Sequence, residues 1–375
     1  MLKVGILGGG QLGRMLLQAA ANYPVETYVM ENDADCPAAH LCHHFVKGDI
    51  RNYNDVYTFG KSVDALTIEI ESVNDDALAA LEAEGIKIYP RTAALRIIKN
   101  KIEQKQFYAA HSIPSADFVI TRSLQELERH ADFFPAVHKL GSGGYDGRGV
   151  QVIASVTEAG KGFDAPAVLE KKINIHKEIA QIVAVNDTGQ TTLYPPVDMV
   201  FDPELNLLDY QVSPAELAET ILWKVEAIAL KVVKALASPG IFAVELFIDK
   251  VGEVYVNETA PRVHNSGHHT IEGNYSSQFD MLWRIILGYP LGNTAAILPA
   301  AIVNVLGEEN YSGVAQYNGL EDVLQMDNVF VHIYGKKETK PGRKMGHVTI
   351  LSADRKDLTY KQRRIRQVLK VVSDK

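Results

Sequence analysis

The sequence predicts two fold classes in series: an α/β unit built on a parallel sheet, then a longer, mainly antiparallel α+β region. Two observations predict this. Through the first ninety or so residues, short apolar runs alternate with stretches of helical period, the pattern of strands joined by crossover helices. From about Ala116 onwards strand-like runs arrive in pairs with few helices between them. A chain of 375 residues has room for two or three domains.

In the first unit, residues 2–7 read as a buried strand. Residues 11–21 read as a helix with Leu12, Met15, Leu16 and Ala19 on one stripe. Residues 25–30, 65–68 and 86–89 read as further strands. Pro90-Arg91-Thr92 opens a helical stretch that runs through His111 and ends at Ile113-Pro114-Ser115. In the second region, residues 136–139 pair with 150–153, and 168–171 with 178–185. Strands follow at 199–201 and 207–212, and a long amphipathic helix spans 214–235. Residues 288–292 punctuate the end of this region. The tail carries strands near 301–305, 329–334 and 345–351 and a final helix. The expected units are therefore 1–98, 99–292 and 293–375.

Hydrophobic content of 46% and charged content of 22% are those of an ordinary soluble protein. A net charge of −8 disfavours general nucleic-acid or anionic-membrane binding. Residues 1–7 run straight into glycines and are too short for a signal peptide, and no stretch approaches the roughly 18 apolar residues of a spanning helix. Two cysteines, Cys36 and Cys42, make no disulfide framework, which fits a reducing cytoplasm. With His40, His43 and His44 they invite a zinc reading, but structural zinc uses more tightly paired ligands. A loop leaving a strand accounts for them better.

The densest chemistry lies in residues 257–270, where Asn257, Glu258, Arg262, His264, Asn265, His268 and His269 fall within fourteen positions. A run this polar is a poor choice for a core and suits a site handling a metal-bound anion and a polar small molecule. Just upstream, residues 242–249 and 253–258 alternate apolar and polar around Gly252, a β-hairpin pattern. Pairing Asp249 with Val254, or Lys250 with Glu253, puts Glu245 directly opposite Glu258. Like charges there repel unless a hard cation lies between them.

Two glycine clusters stand out. Gly8-Gly9-Gly10-Gln11-Leu12-Gly13, between a strand and a helix and followed by Glu31, fits a dinucleotide-binding turn, although nothing downstream resembles a hydride-transfer site. Residues 141–149 hold five glycines around Tyr145, Asp146 and Arg148. They lie between two strands, where a hairpin loop with Lys139 at its base can close over a polyphosphate. Glu170, Lys171, Lys172 and Ile173 end a strand whose exposed backbone could read an adenine edge. Residues 334–347 are basic in an acidic chain, either a solvated face or a phosphate clamp of Lys336, Arg343 and Lys344.

Taken together, residues 8–13, 143–149, 257–270, 277–279 and 341–347 make the chain resemble the ATP-grasp superfamily, and within it the 5-(carboxyamino)imidazole ribonucleotide synthetase family of purine biosynthesis. The resemblance implies an N-terminal parallel-sheet (pre-ATP-grasp) domain, a central ATP-grasp domain with a lid at about 116–172, and a small C-terminal domain. It implies a ligase that carboxylates 5-aminoimidazole ribonucleotide with bicarbonate at the expense of ATP. Glu245 and Glu258 would hold magnesium, two ions being expected, with Asn257 near. Lys101, Lys139, Gly144, Tyr145, Asp146, Gly147, Arg148, Gly149 and Val150 would bind the ATP phosphates. Glu170 to Ile173 would take the adenine, and Glu178 the ribose. Tyr145, Asp146, Arg148 and Arg262 would surround bicarbonate. Gln11, Leu12, Glu71, Asn265, Lys336, Arg343 and Lys344 would bind the ribonucleotide. A cytoplasmic homodimer is implied; biotin is not, because no Ala-Met-Lys-Met setting occurs. Asn100 stands where the family often has Asp, and residues 175–180 replace a more usual Phe-x-x-Glu-x-Ser. The alternatives are a formate-activating ATP-grasp enzyme acting on glycinamide ribonucleotide, an NAD-dependent oxidoreductase using Gly8 to Gly13 and Glu31, and a nucleotide sensor without turnover.

Overall fold

A computed structural model describes residues 1–143, 149–201 and 208–374. Five short apolar runs form the first sheet: β1 (Leu2–Leu7), β2 (Val25–Glu31), β3 (His44–Lys47), β4 (Ala65–Ile68) and β5 (Lys87–Tyr89). All pairs are parallel and the order is β3-β2-β1-β4-β5. The order reverses between β1 and β4, and in open parallel sheets ligands bind at the carboxyl ends of strands at such a switch point. Helix α1 (Gln11–Ala20) buries Leu12, Met15 and Leu16, while α2 (Tyr53–Gly60) and α3 (Asp75–Ala83) cover the opposite face and are capped by Asn52 and Asn74. β3 falls within the Cys/His segment that the sequence suggested was a loop. His43 turns to Thr27, His44 stacks on Tyr28 and bonds Glu26, and Cys36 packs over Gly9.

The helical stretch expected from Pro90 to His111 is two helices, α4 (Thr92–Lys99) and α5 (Lys101–Ala110). The break is Asn100, whose backbone is extended and whose side chain accepts from the N–H groups of Ile102 and Glu103. Asn caps a helix as well as Asp does, so the departure at this position keeps the local geometry.

A four-stranded antiparallel sheet follows: β6 (Phe118–Thr121), β7 (Ala136–Leu140), β8 (Val150–Ile153) and β9 (Ala167–Lys171), in the order β6-β9-β7-β8, with α6 (Leu124–Glu128) over it. The expected β7–β8 pair is present, with Lys139 opposite Val150. The expected pairing of β9 with the next strand is not. β9 lies between β6 and β7, while β10 (Ile175–Val185) belongs to another sheet. Both runs are apolar and β-branched, so their pattern could not say which partner each takes.

That other sheet is the main body. With β11 (Thr191–Leu193), β12 (Val197–Phe201), β13 (Leu208–Ser213), β14 (Gly240–Asp249), β15 (Val254–Ala260), β16 (Ala300–Leu306), β17 (Gly313–Val314), β18 (Gln316–Asn318), β19 (Val329–Ile333), β20 (Glu338–Thr339), β21 (Lys344–Leu351) and β22 (Lys370–Val372) defined, its order is β15-β14-β10-β12-β13-β16-β21-β19, with β11 beside β10. Strands from beyond residue 293 thus extend the central sheet. β17 pairs β20 and β18 pairs β22 in small separate ladders. Helix α7 (Glu219–Leu236) begins five residues later than expected, since residues 214–218 are not helical. It packs Val225, Ala229, Val232 and Val233 on one face of the sheet, against Ile179, Val183, Phe242, Val244 and Leu246. Helices α8 (Thr270–Gly273) and α9 (Gln278–Ile286) cover the other face, and Trp283 of α9 donates to the Leu16 carbonyl at 2.7 Å, locking the first unit onto the body. Helices α10 (Leu320–Leu324) and α11 (Arg355–Val368) finish the chain. Among the described residues no helix is long and apolar enough to cross a membrane.

Candidate active site

The β14–β15 hairpin carries the two acids. Near its turn the pairs are Ile248 with Val254, Phe247 with Tyr255 and Leu246 with Val256, one position away from the expected register. A β-bulge at Asn257 then adds one residue to β15, and Glu245 stands opposite Glu258 after all. Burial alternates along β15 up to Val256, then Asn257 and Glu258 are both partly exposed before Thr259 is buried again. Two consecutive side chains are thereby delivered to one cleft. On the neighbouring strand Glu178 lies opposite Phe247 and Ala180 opposite Glu245, so Glu178 shares their face of the sheet.

Three lysines converge on this face. Lys101, released from α4 by the break at Asn100, approaches Glu258 Oε2 to 2.5 Å, and Glu258 still shows 42% of its side chain to solvent, leaving it open to a ligand. Lys139 of β7 donates to Asn257 Oδ1 at 2.8 Å and pairs with Glu170 Oε2 at 3.1 Å. Lys105, fully buried, lies 3.8 Å from Glu170 Oε1 and donates to the Ala116 carbonyl. Sequence reasoning missed Lys105; its place one turn after Lys101 on the same helix was the available signal. Glu170 is not at an exposed strand end as expected, because β9 is an interior strand and the residue is 5% exposed. The Lys171 and Lys172 N–H groups donate to Asp117 and Pro135, and residues 172–174 link the two sheets.

The electrostatics are those of a site short of positive charge. Burial pushes Glu245 up, and the charge of Glu258 pushes it further. Lys101 holds Glu258 well below the usual carboxylate range. Burial raises Glu178 to about 7 against the pull of Lys139, and burial lowers Lys105 to about 8 against the pull of Glu170. Burial also pulls Lys101 down, but the charge of Glu258 and its hydrogen bond outweigh this and the net shift is upward. Among the described residues no group of three or more His, Cys, Asp or Glu side chains is arranged to hold a metal alone. A cation here would need oxygens from a ligand besides those of the protein.

The polar run after Glu258 divides in two. Arg262, His264 and Asn265 are partly exposed. Ser266, His268, His269 and Thr270 are buried, against the expectation that so polar a run avoids the core. They are accommodated because Gln278, itself fully buried, accepts from the His264 N–H at 2.9 Å and donates to the His264 carbonyl at 2.7 Å, while Thr270 bonds Gly267 and Gln278. Gly267 is required there, since a Cβ would come within 2.5 Å of the Gln278 side chain. His264 Nε2 then lies 3.7 Å from Glu245 Oε1, and the buried amide nitrogen of Asn265 has no hydrogen-bond partner among the described residues.

Beyond this knot lies the switch point of the first sheet. Arg262 Nε is 2.9 Å from Glu71 Oε1, in the geometry of an ion pair rather than a hydrogen bond. Leu12 N–H donates to Glu69 Oε1 at 3.1 Å, and Gly9 N–H donates to Glu31 Oε2 at 3.1 Å. Two N–H groups of the glycine turn and the helix start are therefore taken by the protein's own carboxylates, and Glu31 is bonded to the Gly9 and Asn32 N–H groups, which weakens the dinucleotide reading. Glu69, which the sequence analysis did not single out, lies just past β4 at the switch point. Lys336 and Arg262 both pull the raised pKa of Glu69 back down, and Lys336 donates to the Lys344 carbonyl. Arg343 donates to the Glu338 carbonyl within its own hairpin. Gly144, Tyr145, Asp146, Gly147 and Arg148 lie outside the described residues; Gly149 and Val150 close the loop base, where the Leu140 N–H donates to the Gly149 carbonyl.

Comparison with known proteins agrees with this layout. Residues 1–99 match the ribonucleotide synthetase preATP-grasp domain, 106–279 the ATP-grasp domain, and 300–361 the phosphoribosylaminoimidazole carboxylase C-terminal domain. The N5-carboxyaminoimidazole ribonucleotide synthase of Aquifex aeolicus (strain VF5) is 33% identical over 99% of this chain and 98% of its own. Other curated relatives are longer, and the chain spans 64% and 67% of two of them. The crystal structure of N5-carboxyaminoimidazole ribonucleotide synthetase from Thermotoga maritima is similar with a TM-score of 0.92 at 36% identity, covering 100% of both chains. The synthase from Aspergillus clavatus in complex with ADP and 5-aminoimidazole ribonucleotide has a TM-score of 0.89 at 30% identity, covering 98% of both.

Proposed function

This chain belongs to the N5-carboxyaminoimidazole ribonucleotide synthase family of ATP-grasp ligases, and from that premise we propose that it carboxylates 5-aminoimidazole ribonucleotide with bicarbonate, releasing ADP and phosphate. The observation that carries the proposal is the face-to-face pair Glu245 and Glu258 with Lys101 and Lys139 at its edge. Phosphoryl transfer asks mainly for positioning and charge neutralisation, and this cleft offers both.

A bicarbonate oxygen attacks the γ-phosphorus and ADP leaves, giving carboxyphosphate. The exocyclic amine of the ribonucleotide then forms the new N–C bond to the carboxyl carbon, phosphate departs, and the amine loses a proton. Lys101 exchanges Glu258 for phosphate oxygens when nucleotide enters, and Lys139 holds the nucleotide from the lid side. The residues fit a pair of magnesium ions. Two carboxylates share one face, one of them is pushed up by burial and then by the other's charge, and Asn257 supplies a neutral oxygen beside them. Magnesium held by Glu245 and Glu258 would neutralise the phosphate charge that builds up during transfer.

Glu170 to Ile173 and Glu178 take the adenosine, Arg262 with Tyr145, Asp146 and Arg148 takes bicarbonate, and Gln11, Leu12, Glu71, Asn265, Lys336, Arg343 and Lys344 take the ribonucleotide. The Asn265 amide nitrogen, buried and without a hydrogen-bond partner among the described residues, supports the last assignment. The same reading divides the chain near residues 98 and 292, with the lid at 116–172, and has it work as a cytoplasmic homodimer, which sedimentation would measure. The deciding experiment is ADP release with each co-substrate omitted in turn. Release should require both bicarbonate and the imidazole ribonucleotide; release indifferent to both would end the proposal.

A further inference from the structure

We propose that Lys105 is a positioning residue for nucleotide binding: it keeps Glu170 neutralised, so that Lys139 can leave this carboxylate for a phosphate oxygen of the incoming ATP. This deepens the function proposed above and rests on it, since the nucleotide concerned is the one that reading places in the cleft.

Lys105 is out of reach of the reacting phosphates, because its side chain is 2% exposed. It follows Lys101 by four residues on α5 and so shares that face of the helix, but it takes a different carboxylate. Lys101 goes to Glu258, whereas Lys105 Nζ lies 3.8 Å from Glu170 Oε1 and donates to the Ala116 carbonyl at 3.0 Å, with the Phe118 ring centroid 5.2 Å away. Glu170 Oε2 lies 3.1 Å from Lys139 Nζ. One buried carboxylate therefore answers two lysines, one on each oxygen. The sheet sets this up: Val168 stands opposite Lys139 and Val137 opposite Glu170, so both charged side chains leave the same face of the β7–β9 pair.

Lys139 already has a second bond, to Asn257 Oδ1 at 2.8 Å, that draws it toward the acids of the cleft. Were it the sole cation on Glu170, its move to a phosphate would strand an ionised carboxylate away from water, and an unpaired buried charge is strongly unfavourable. Lys105 removes that penalty, so the exchange leaves every charge paired. Burial pushes Lys105 down to about 8; Glu170 and Asp117 hold it up, and Lys139 pushes it further down. Once Lys105 loses its proton, Glu170 has Lys139 alone, and the nucleotide must compete for it.

Calorimetric titration with ADP tests this without requiring turnover. Wild-type affinity for ADP should fall several-fold as the pH rises through about 8. Lys105→Arg, whose charge persists, should bind ADP as wild type does near neutral pH and lose that fall. Lys105→Met should bind ADP about tenfold more weakly near neutral pH, with no step near pH 8. In a Glu170→Gln background no carboxylate needs a cation, so the same Lys105→Met change should weaken binding by less than about twofold, a coupling that general loosening of the fold would not produce. Parallel falls in wild type and Lys105→Arg, or an equal loss from Lys105→Met in both backgrounds, would overturn the proposal. Should the variants not fold, a wild-type ADP affinity that stays level through that pH range would do so. If wild type gives the expected ADP profile but no ribonucleotide-dependent ADP release, the carboxylation reading falls and the role of Lys105 stands.

Discussion

Glu245 faces Glu258 because Asn257 is bulged out of the ladder between them. Were β15 regular from its turn onward, Asn257 would oppose Glu245 and Glu258 would point into the packing against α7. A one-residue slip moves every side chain to the other face of a sheet, and here an inserted residue restores the face at the point where the acids occur.

Glu258→Gln should cut turnover by roughly 100-fold or more, the scale of losing one charge-stabilising group in an active site. Folding should survive, because the amide oxygen of Gln can still accept from Lys101 and the side chain at 258 is partly open to solvent. Steady-state ADP release and thermal unfolding, measured on one preparation, separate the two effects. Near-wild-type turnover would remove the metal assignment.

How much of this was legible in the sequence depended on what each signal encodes. Period-two alternation marked β14 and β15 and placed Glu245 and Glu258 on one face, yet alternation cannot reveal a bulge, so the right pair followed from a register that holds only beyond Asn257. Apolar runs marked β9 and β10, but strand partners are tertiary choices, and the predicted pair lies in two different sheets. The glycine turn was legible as a turn; its occupant was not, because Glu69 reads in one dimension as the continuation of a strand. The buried half of the run after Asn265 was misread for a related reason: polarity predicts exposure only when no partner such as Gln278 waits across the chain.

The raised pKa of Glu178 predicts a pH dependence of stability. A carboxyl at about 7 in the folded protein, against 4.5 ordinarily, favours the folded state fully only below about 4.5, and that contribution is lost as pH rises to 7. Glu178→Gln removes the loss. Its Tm relative to wild type should therefore climb between pH 5 and pH 8, by an amount on the order of 2 kcal/mol in stability. A difference that stays flat across that range would show that Glu178 titrates normally.

Gln278→Leu should destabilise the protein by about 1–3 kcal/mol, since it removes the hydrogen bonds that a fully buried side chain makes to the part-buried N–H and carbonyl of His264. Denaturant unfolding measures this. The same change should loosen the segment that presents His264 and Asn265, raising the KM for the ribonucleotide more than that for ATP. A loss of stability with both KM values unchanged would make the knot structural only.

Arg343→Ala tests where the ribonucleotide's phosphate goes. Arg343 makes its described bond to the Glu338 carbonyl of its own hairpin, so truncation disturbs little of the core. Its charge belongs to the basic segment that begins at Lys336, the residue whose field reaches Glu69 across the switch point. If that segment receives the phosphate, the variant loses binding that is equal in ground and transition states. The KM for the ribonucleotide should then rise roughly tenfold while kcat and the KM for ATP hold, the pattern expected of uniform binding. An unaltered ribonucleotide KM would place the phosphate elsewhere.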